Sequence, residues 1–397
     1  MNILRVIATV NPESGGPIEG IAMSAPILKE QGCHQEIVSL DSPLDPWVQT
    51  SPLPVYPLGI RNPRYLGLRQ KIPWLRYGYT PHFVPWLKKN ASRYDAVIVH
   101  GLWNYVALGS WRALRKSQTP FFVFAHGMLD PYFNRVHPLK SLAKQILWWF
   151  SEGRLIANAR NVLFTTEEEQ RLASKSFWPF RGKGRVVAYG IRDIPQDAEA
   201  QIAAFRSALP QLGGRRFFLF LSRIHPKKGC DLLLNAFASI AAEYPEIDLV
   251  MAGPDQKGWE KTLRKLAGDL GIAGRVHWPG MLKGDLKWGA FRAAEAFVLP
   301  SHQENFGIVV AEAMACGTPV LTTDKVNTWR EVQACGAGLV ADDSVEGITG
   351  LLEQFLALPP AEQQAMARRA RQGFAEKFDL AALGPQLLSA IGGSAAA

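Results

Sequence analysis

Short runs of β-branched and aromatic residues alternate with longer stretches of helical period along nearly the whole chain. In the first half the runs fall at the N-terminus (Ile3 to Val10) and at residues 95–100, 121–125, 161–164 and 185–189. In the second half they fall at 217–221, 247–252, 275–278, 296–299, 319–323 and 338–341, with helical patterns between them such as 231–243 and 308–315. Strands covered on both faces read as unbroken apolar runs, and parallel strands need helical crossovers. The rhythm therefore predicts an α/β protein with two doubly wound, Rossmann-like parallel-sheet domains. The boundary is expected near Gly190 and Ile191, where an apolar run gives way to a polar stretch ending at Pro195. The tail carries Leu380, Leu383, Leu387 and Ile391 at helical spacing, although Pro385 would start or kink a helix there. The expected division is 1–190 together with a crossing helix at 375–397, and 191–374. One segment breaks the rhythm: nine prolines between Pro43 and Pro85 are too many for regular helices or central strands, and predict an ordered surface excursion.

The length of 397 residues agrees with two cores, because single cores stop growing at about 250–300 residues. No apolar run approaches the ~18 residues of a membrane span. The N-terminus has neither a basic leader nor a small-residue cleavage site, so a cytoplasmic protein is expected. Four cysteines without C-x-x-C spacing point to packed thiols and away from disulfides or zinc. The formal charge of +9 is unevenly placed: residues 1–190 carry 23 Lys+Arg against 12 Asp+Glu, and the remainder 21 against 23. The basic half also holds 8 of the 12 tryptophans. Such a surface suits anionic lipid headgroups, phosphate-bearing substrates or nucleic acid, or is a plain solvated face. Residues 139–156, with Lys140, Lys144, Trp148, Trp149 and Arg154, are expected to form one amphipathic helix, which suggests peripheral contact with an anionic membrane.

Ligands of open α/β sheets bind where strands end, so the loops leaving the strands hold the candidate chemistry. After the first strand, Gly15 and Gly16 would bring backbone N–H groups close to an anion, though on its own the pair is better explained by a plain tight turn. After 217–221 comes Ser222-Arg223-Ile224-His225-Pro226-Lys227-Lys228-Gly229, whose cations stand just before a helix and oppose its dipole. An anionic ligand resolves that opposition. After 296–299 comes Pro300-Ser301-His302-Gln303-Glu304-Asn305-Phe306-Gly307, leading into an apolar helix interrupted by Glu312. A carboxylate there needs either a buried basic partner or a ligand. With a diphosphate on the helix N-terminus at Gly307, Glu312 stands about 7.5 Å along the axis, where the ribose of a nucleotide would lie. Glu304 then faces the group joined to the distal phosphate, and the arrangement describes a nucleotide-sugar site.

These residues resemble the retaining glycosyltransferases of family four, which have the two-domain GT-B fold. The E-x7-E motif appears as Glu304 and Glu312, and the Arg-x4-Lys-Gly motif as Arg223, Lys228 and Gly229. The resemblance covers essentially the whole chain, tightly in the second half and loosely in the first. It implies two domains facing a cleft, with Arg223 and Lys228 holding the donor diphosphate. Glu304 and the backbone of Asn305, Phe306, Gly307 and Ile308 would hold the sugar and distal phosphate, and Glu312 the ribose. Gly15 and Gly16 would lend backbone donors, and His126 would hydrogen-bond the donor sugar. His100 and Asp130 are weaker expectations on the acceptor side. The sequence departs from many members at Val326-Asn327-Thr328-Trp329-Arg330-Glu331, where a Gly-Gly pair is often found.

No Asp-x-Asp occurs, so fixed cations and helix ends would stand in for a metal and no cofactor is expected. Dinucleotide, phosphate-loop, zinc-protease and serine-hydrolase motifs are also absent, and no RNA-binding signature suggests nucleic acid. The expected reaction moves a hexose-type unit from a nucleoside diphosphate sugar to a sugar or lipid-linked hydroxyl, with retention because no base is placed opposite the leaving group. The rivals are a nucleotide-sugar epimerase of the same fold and a non-catalytic binding protein.

Overall fold

The computed structural model describes residues 1–392 except Pro63, Tyr65, Leu66, Arg69, Gln70, Ala188 and Lys257. Parts of the proline-rich excursion and the last five residues of the expected crossing helix therefore lie outside the described residues. The chain divides into two compact units, Met1–Tyr189 with Leu383–Ala397, and Gly190–Ala382. Each is built around its own parallel sheet.

The first unit holds β1 (Asn2–Ile7), β2 (His34–Ser39), β3 (Val55–Pro57), β4 (Ala96–His100), β5 (Phe121–Phe124), β6 (Asn161–Phe164) and β7 (Gly184–Val186). They run in the order β3-β2-β1-β4-β5-β6-β7, all parallel. Every residue of β4 and β5 is buried, which is why these strands show in the sequence as plain apolar runs. Pro57 sits on the edge strand β3, where a missing backbone donor costs least. On one face the sheet packs Ile3, Ile98, Phe122 and Leu163 against Ala390 and Ile391 of the helix Leu380–Gly392. The C-terminal helix thus completes this core, and Pro385 is accommodated inside it.

The return of the chain comes at Leu383, later than residue 375. The intervening residues belong to the second unit, where the Phe378 ring meets Phe306 edge-on at 5.6 Å. Backbone bonds from Ile191 N to Phe378 O (2.9 Å) and from Leu380 N to Ile191 O (2.9 Å) tie the same segment there.

The second unit holds β8 (Arg216–Leu221), β9 (Ile247–Ala252), β10 (Val276–Gly280), β11 (Ala296–Leu299), β12 (Val320–Thr323) and β13 (Gly338–Ala341). The order is β10-β9-β8-β11-β12-β13. In both sheets the order reverses beside the first strand, between β1 and β4 and between β8 and β11. These switch points open the crevices in which doubly wound sheets bind ligands.

The single amphipathic helix expected over 139–156 is instead two, Pro138–Phe150 and Glu152–Asn158, broken at Ser151 (φ −134°, ψ −82°). The break lets Trp148 and Glu152 turn inward, where both are buried.

Candidate functional site

In the second unit the loops leaving β8 and β11 meet at the switch point. Lys228 closes a turn of 3-10 helix (Pro226–Lys228) and is 5% exposed, and its ammonium donates to the Glu304 carboxylate in an ion pair. Burial, helped by the neighbouring Lys227 and Arg223 charges, pushes the Lys228 ammonium down to about 7. Gly229 follows at φ 64° as the cap of the helix Cys230–Ile240, and a Cβ there would run into the Pro300 carbonyl oxygen. Only glycine lets the two strand-end loops approach this closely. Arg223 donates to the Gln256 side chain at 3.1 Å.

Glu304 is positioned from three sides. Its backbone N–H donates to Lys325 O (3.0 Å), its carbonyl accepts from Asn327 N (3.0 Å), and Gly307, at φ 67°, places a potential Cβ 3.2 Å from its Cγ. Gly307 caps the helix Ile308–Ala315, so the positive end of that helix opens beside the Lys228–Glu304 pair. Phe306 is buried and Thr328 Oγ1 donates to its carbonyl (3.0 Å), while Asn327 Nδ2 reaches Asn305 Oδ1 at 3.5 Å. The segment that departs from the Gly-Gly pattern thus serves as the brace of the Glu304 loop. Asn327 and Lys325 were missed in the sequence, because their role runs through backbone groups that carry no residue code.

Glu312 lies 12% exposed on that helix, with one oxygen accepting from Lys287 Nζ at 2.7 Å. A basic partner is therefore present, although Lys287 is half-buried, with its side chain 21% exposed. Lys287, on the helix Gly284–Ala293, lies 25 residues away in sequence, and no spacing rule would have found it.

In the first unit, Gly15 (φ 76°) links a turn of 3-10 helix to the helix Gly16–Glu30, with open space around both glycines. The Tyr189 hydroxyl donates to Gly16 O at 3.3 Å. His126 stands just past β5 in the left-handed region (φ 49°), its ring stacked on Phe124 at 4.3 Å. Burial and the nearby Arg5 charge push its pKa down to about 3. His100 is 4% exposed, with Nδ1 2.9 Å from His126 Nε2 and Nε2 3.4 Å from Arg5 Nη1. Both ring nitrogens of His100, expected on the acceptor side, are thus turned to Arg5 and His126. Asp130 is buried as well, and Oδ1 accepts from Tyr132 N at 2.8 Å, a turn role. Arg5, inside an apolar strand, carried no sequence signal beyond its charge.

Among the described residues no group of three or more His, Cys, Asp or Glu side chains could hold a metal ion, and no helix is long and apolar enough to cross a membrane.

Two family models match the chain. Residues 15–190 match "Glycosyl transferase 4-like domain" and residues 201–373 match "Glycosyl transferases group 1". The chain is 38% identical to the D-inositol 3-phosphate glycosyltransferase of Streptomyces avermitilis, over 59% of this chain and 52% of that protein. It is 36% identical to the enzyme of the same name from Mycolicibacterium gilvum, over 43% and 38%. The chain thus spans about half the length or less of these curated relatives. Among solved structures, Anabaena Alr3699/HepE in complex with UDP and glucose matches with a TM-score of 0.72 at 18% identity, over 98% of this chain and 99% of that one. Thermosynechococcus elongatus sucrose-phosphate synthase matches with a TM-score of 0.71 at 19% identity, over 98% and 97%. Two parallel-sheet units of this topology, the switch-point pair Lys228–Glu304 and family models that between them cover most of the sequence lead to one placement: the chain belongs to the family-four glycosyltransferases with the GT-B fold.

Proposed function

We propose that the protein transfers a hexose-type unit from a nucleoside diphosphate sugar to an acceptor hydroxyl with retention of configuration. The observation that carries this reading is the pairing of buried Lys228 with half-buried Glu304 beside the Gly307 helix N-terminus, where a preformed cation and oriented backbone donors converge at a switch point. When the bond between sugar and phosphate breaks, negative charge grows on the leaving diphosphate. Lys228, Arg223 and the helix end stabilise it where it develops, without a metal. In this reading Glu304 divides its carboxylate between Lys228 and the sugar, Glu312 addresses the ribose with Lys287 holding it in place, and the backbone of Asn305 to Ile308 receives the distal phosphate. As the family resemblance implies, Gly15 and Gly16 would lend backbone donors and His126 would hydrogen-bond the donor sugar. Solved neighbours bound to UDP and to UDP-glucose support a nucleoside diphosphate hexose as the donor class.

The acceptor we propose is a sugar or lipid-linked intermediate at the cytoplasmic surface of an anionic membrane. The helix Pro138–Phe150 supports it by leaving Leu139 84% exposed and Leu142 64% exposed, with Ile146, Trp149 and Phe150 also in solvent. Trp178, 75% exposed, joins the patch because the Gln145 and Trp149 side chains donate to its carbonyl at 2.6 and 3.0 Å. Residues 131–151 include Arg135, Lys140 and Lys144 and no acidic residue. Apolar surface ringed by cations suits the boundary between headgroups and acyl chains. The contact is more apolar than the sequence suggested, since Lys144 is turned back over the Trp103 ring at 4.6 Å.

Thermal shift against a panel of nucleoside diphosphate sugars tests the donor assignment. One nucleotide family raises the melting temperature of the second unit, and a flat response across the panel contradicts the reading.

A further inference from the structure

Arg5 is a buried guanidinium whose hydrogen bonds go to neutral groups. Its Nε and Nη2 donate to Gln35 Oε1 at 3.0 and 2.8 Å, and its Nη1 faces His100 Nε2 at 3.4 Å. Burial pushes its pKa down to about 10, so it is charged at neutral pH. A cation placed this deep with no carboxylate partner among the described residues is costly, and its consequence lies in the rings it faces.

An Arg N–H can only donate, so His100 Nε2 must present its lone pair. The proton of a neutral His100 then sits on Nδ1, which is 2.9 Å from His126 Nε2. That nitrogen must in turn accept, which leaves the proton of His126 on Nδ1. The opposite assignment would aim a His100 N–H at the Arg5 N–H inside the protein, a repulsion with no compensating bond. A doubly protonated ring at either position meets the same conflict and adds a charge beside Arg5. Nearby, Glu169 accepts from Gly127 N (2.6 Å) and from the N–H and hydroxyl of Thr165 (both 2.7 Å), and the Tyr189 hydroxyl, whose pKa burial raises, donates to Gly16 O. Phe124 stacks on both imidazoles and orients them.

We propose that Arg5 and His100 are positioning residues that fix His126 as a neutral imidazole protonated on Nδ1, able to donate a hydrogen bond and unable to take a proton as a base. The consequence for transfer rests on His126 meeting the donor sugar, the reading given above; the tautomer does not. A ring locked as a donor steadies a sugar hydroxyl while charge develops, and withholds the base that attack from the opposite face would require.

The test is ¹⁵N NMR of the full chain labelled at histidine, with His126 assigned by its loss in His126→Gln. The expected spectrum at neutral pH shows His126 with Nδ1 protonated and Nε2 bare. In His100→Gln the amide oxygen accepts from Arg5 and the amide N–H donates to His126, so this spectrum is kept. In His100→Leu the donor is gone and His126 becomes a mixture of tautomers. Arg5→Met, where it folds, gives the same mixture. Transfer by His100→Leu falls about tenfold below that of His100→Gln, the scale of one neutral hydrogen bond, with nucleoside diphosphate affinity equal in the two. A wild-type His126 protonated on Nε2, or a tautomer unmoved in His100→Leu, overturns the relay. The expected tautomers with equal turnover in the two His100 variants would instead remove His126 from the sugar.

Discussion

Lys228→Met keeps the aliphatic stem and removes the charge, so it isolates what the ammonium does. In the transition state the lost group is a preorganised cation in a mostly water-excluded site, and removal of one such stabiliser costs about a hundredfold or more in kcat, about 2.7 kcal/mol. Stability should move far less. The paired side chains are 6% and 21% exposed, so the carboxylate left behind by the variant reaches solvent. Breaking a fully buried pair costs about 3–5 kcal/mol, and with Glu304 partly in water a loss of about 1–2 kcal/mol is expected. For a unit of this size that is roughly 2–8 °C in Tm. Glu304→Gln should match it in turnover, and the double variant should be more stable than the sum of the singles implies, because neither charge is left alone. The pH profile supplies an independent readout. Burial lowers the Lys228 pKa to about 7, so raising the pH strips the proton from the cation and weakens nucleoside diphosphate binding. Glu304 holds that proton on, so the alkaline loss begins at lower pH in Glu304→Gln, and Lys228→Arg, which stays charged, flattens it. Calorimetric titration with nucleoside diphosphate, coupled transfer assays and thermal melts read these effects. Near-normal transfer by Lys228→Met and Glu304→Gln, with unchanged Tm, refutes the assignment of this site.

Two further outcomes follow from the same surfaces. If fixed cations and a helix end neutralise the diphosphate, as proposed, transfer should persist in excess EDTA; loss that manganese or magnesium restores would show that a metal bridges it. The exposed helix should carry the protein to anionic liposomes in sedimentation, and Leu142→Glu or Trp149→Glu should release it without a change in Tm; binding indifferent to these substitutions and to lipid charge would return the patch to ordinary surface.

What the sequence made legible follows from burial. Strands covered on both faces, such as β4 and β5, stand out as apolar runs, and glycines that permit close approach, such as Gly229 and Gly307, fall inside motifs. Depth was not legible. His100 and His126 occupy like places at neighbouring strand ends, yet one ring lies beneath the other, and only side-chain packing separates them. Helical period likewise continued across Ser151, hiding the break that buries Trp148. Partners distant in sequence, Lys287 for Glu312 and Arg5 for His100, leave no spacing to read.

Retention is where the electrostatic account and the donor-locked His126 meet in one observable. Incubated with the protein and no acceptor, a nucleoside diphosphate hexose with an α linkage should be slowly hydrolysed, and proton NMR at early times distinguishes the anomer first released before mutarotation. In the proposed mechanism no base stands opposite the leaving diphosphate, and the incoming hydroxyl would attack from the leaving-group side and give up its proton to the departing phosphate oxygen. The account predicts that the α anomer appears first, in hydrolysis and in transfer to an acceptor alike; a β product would contradict it.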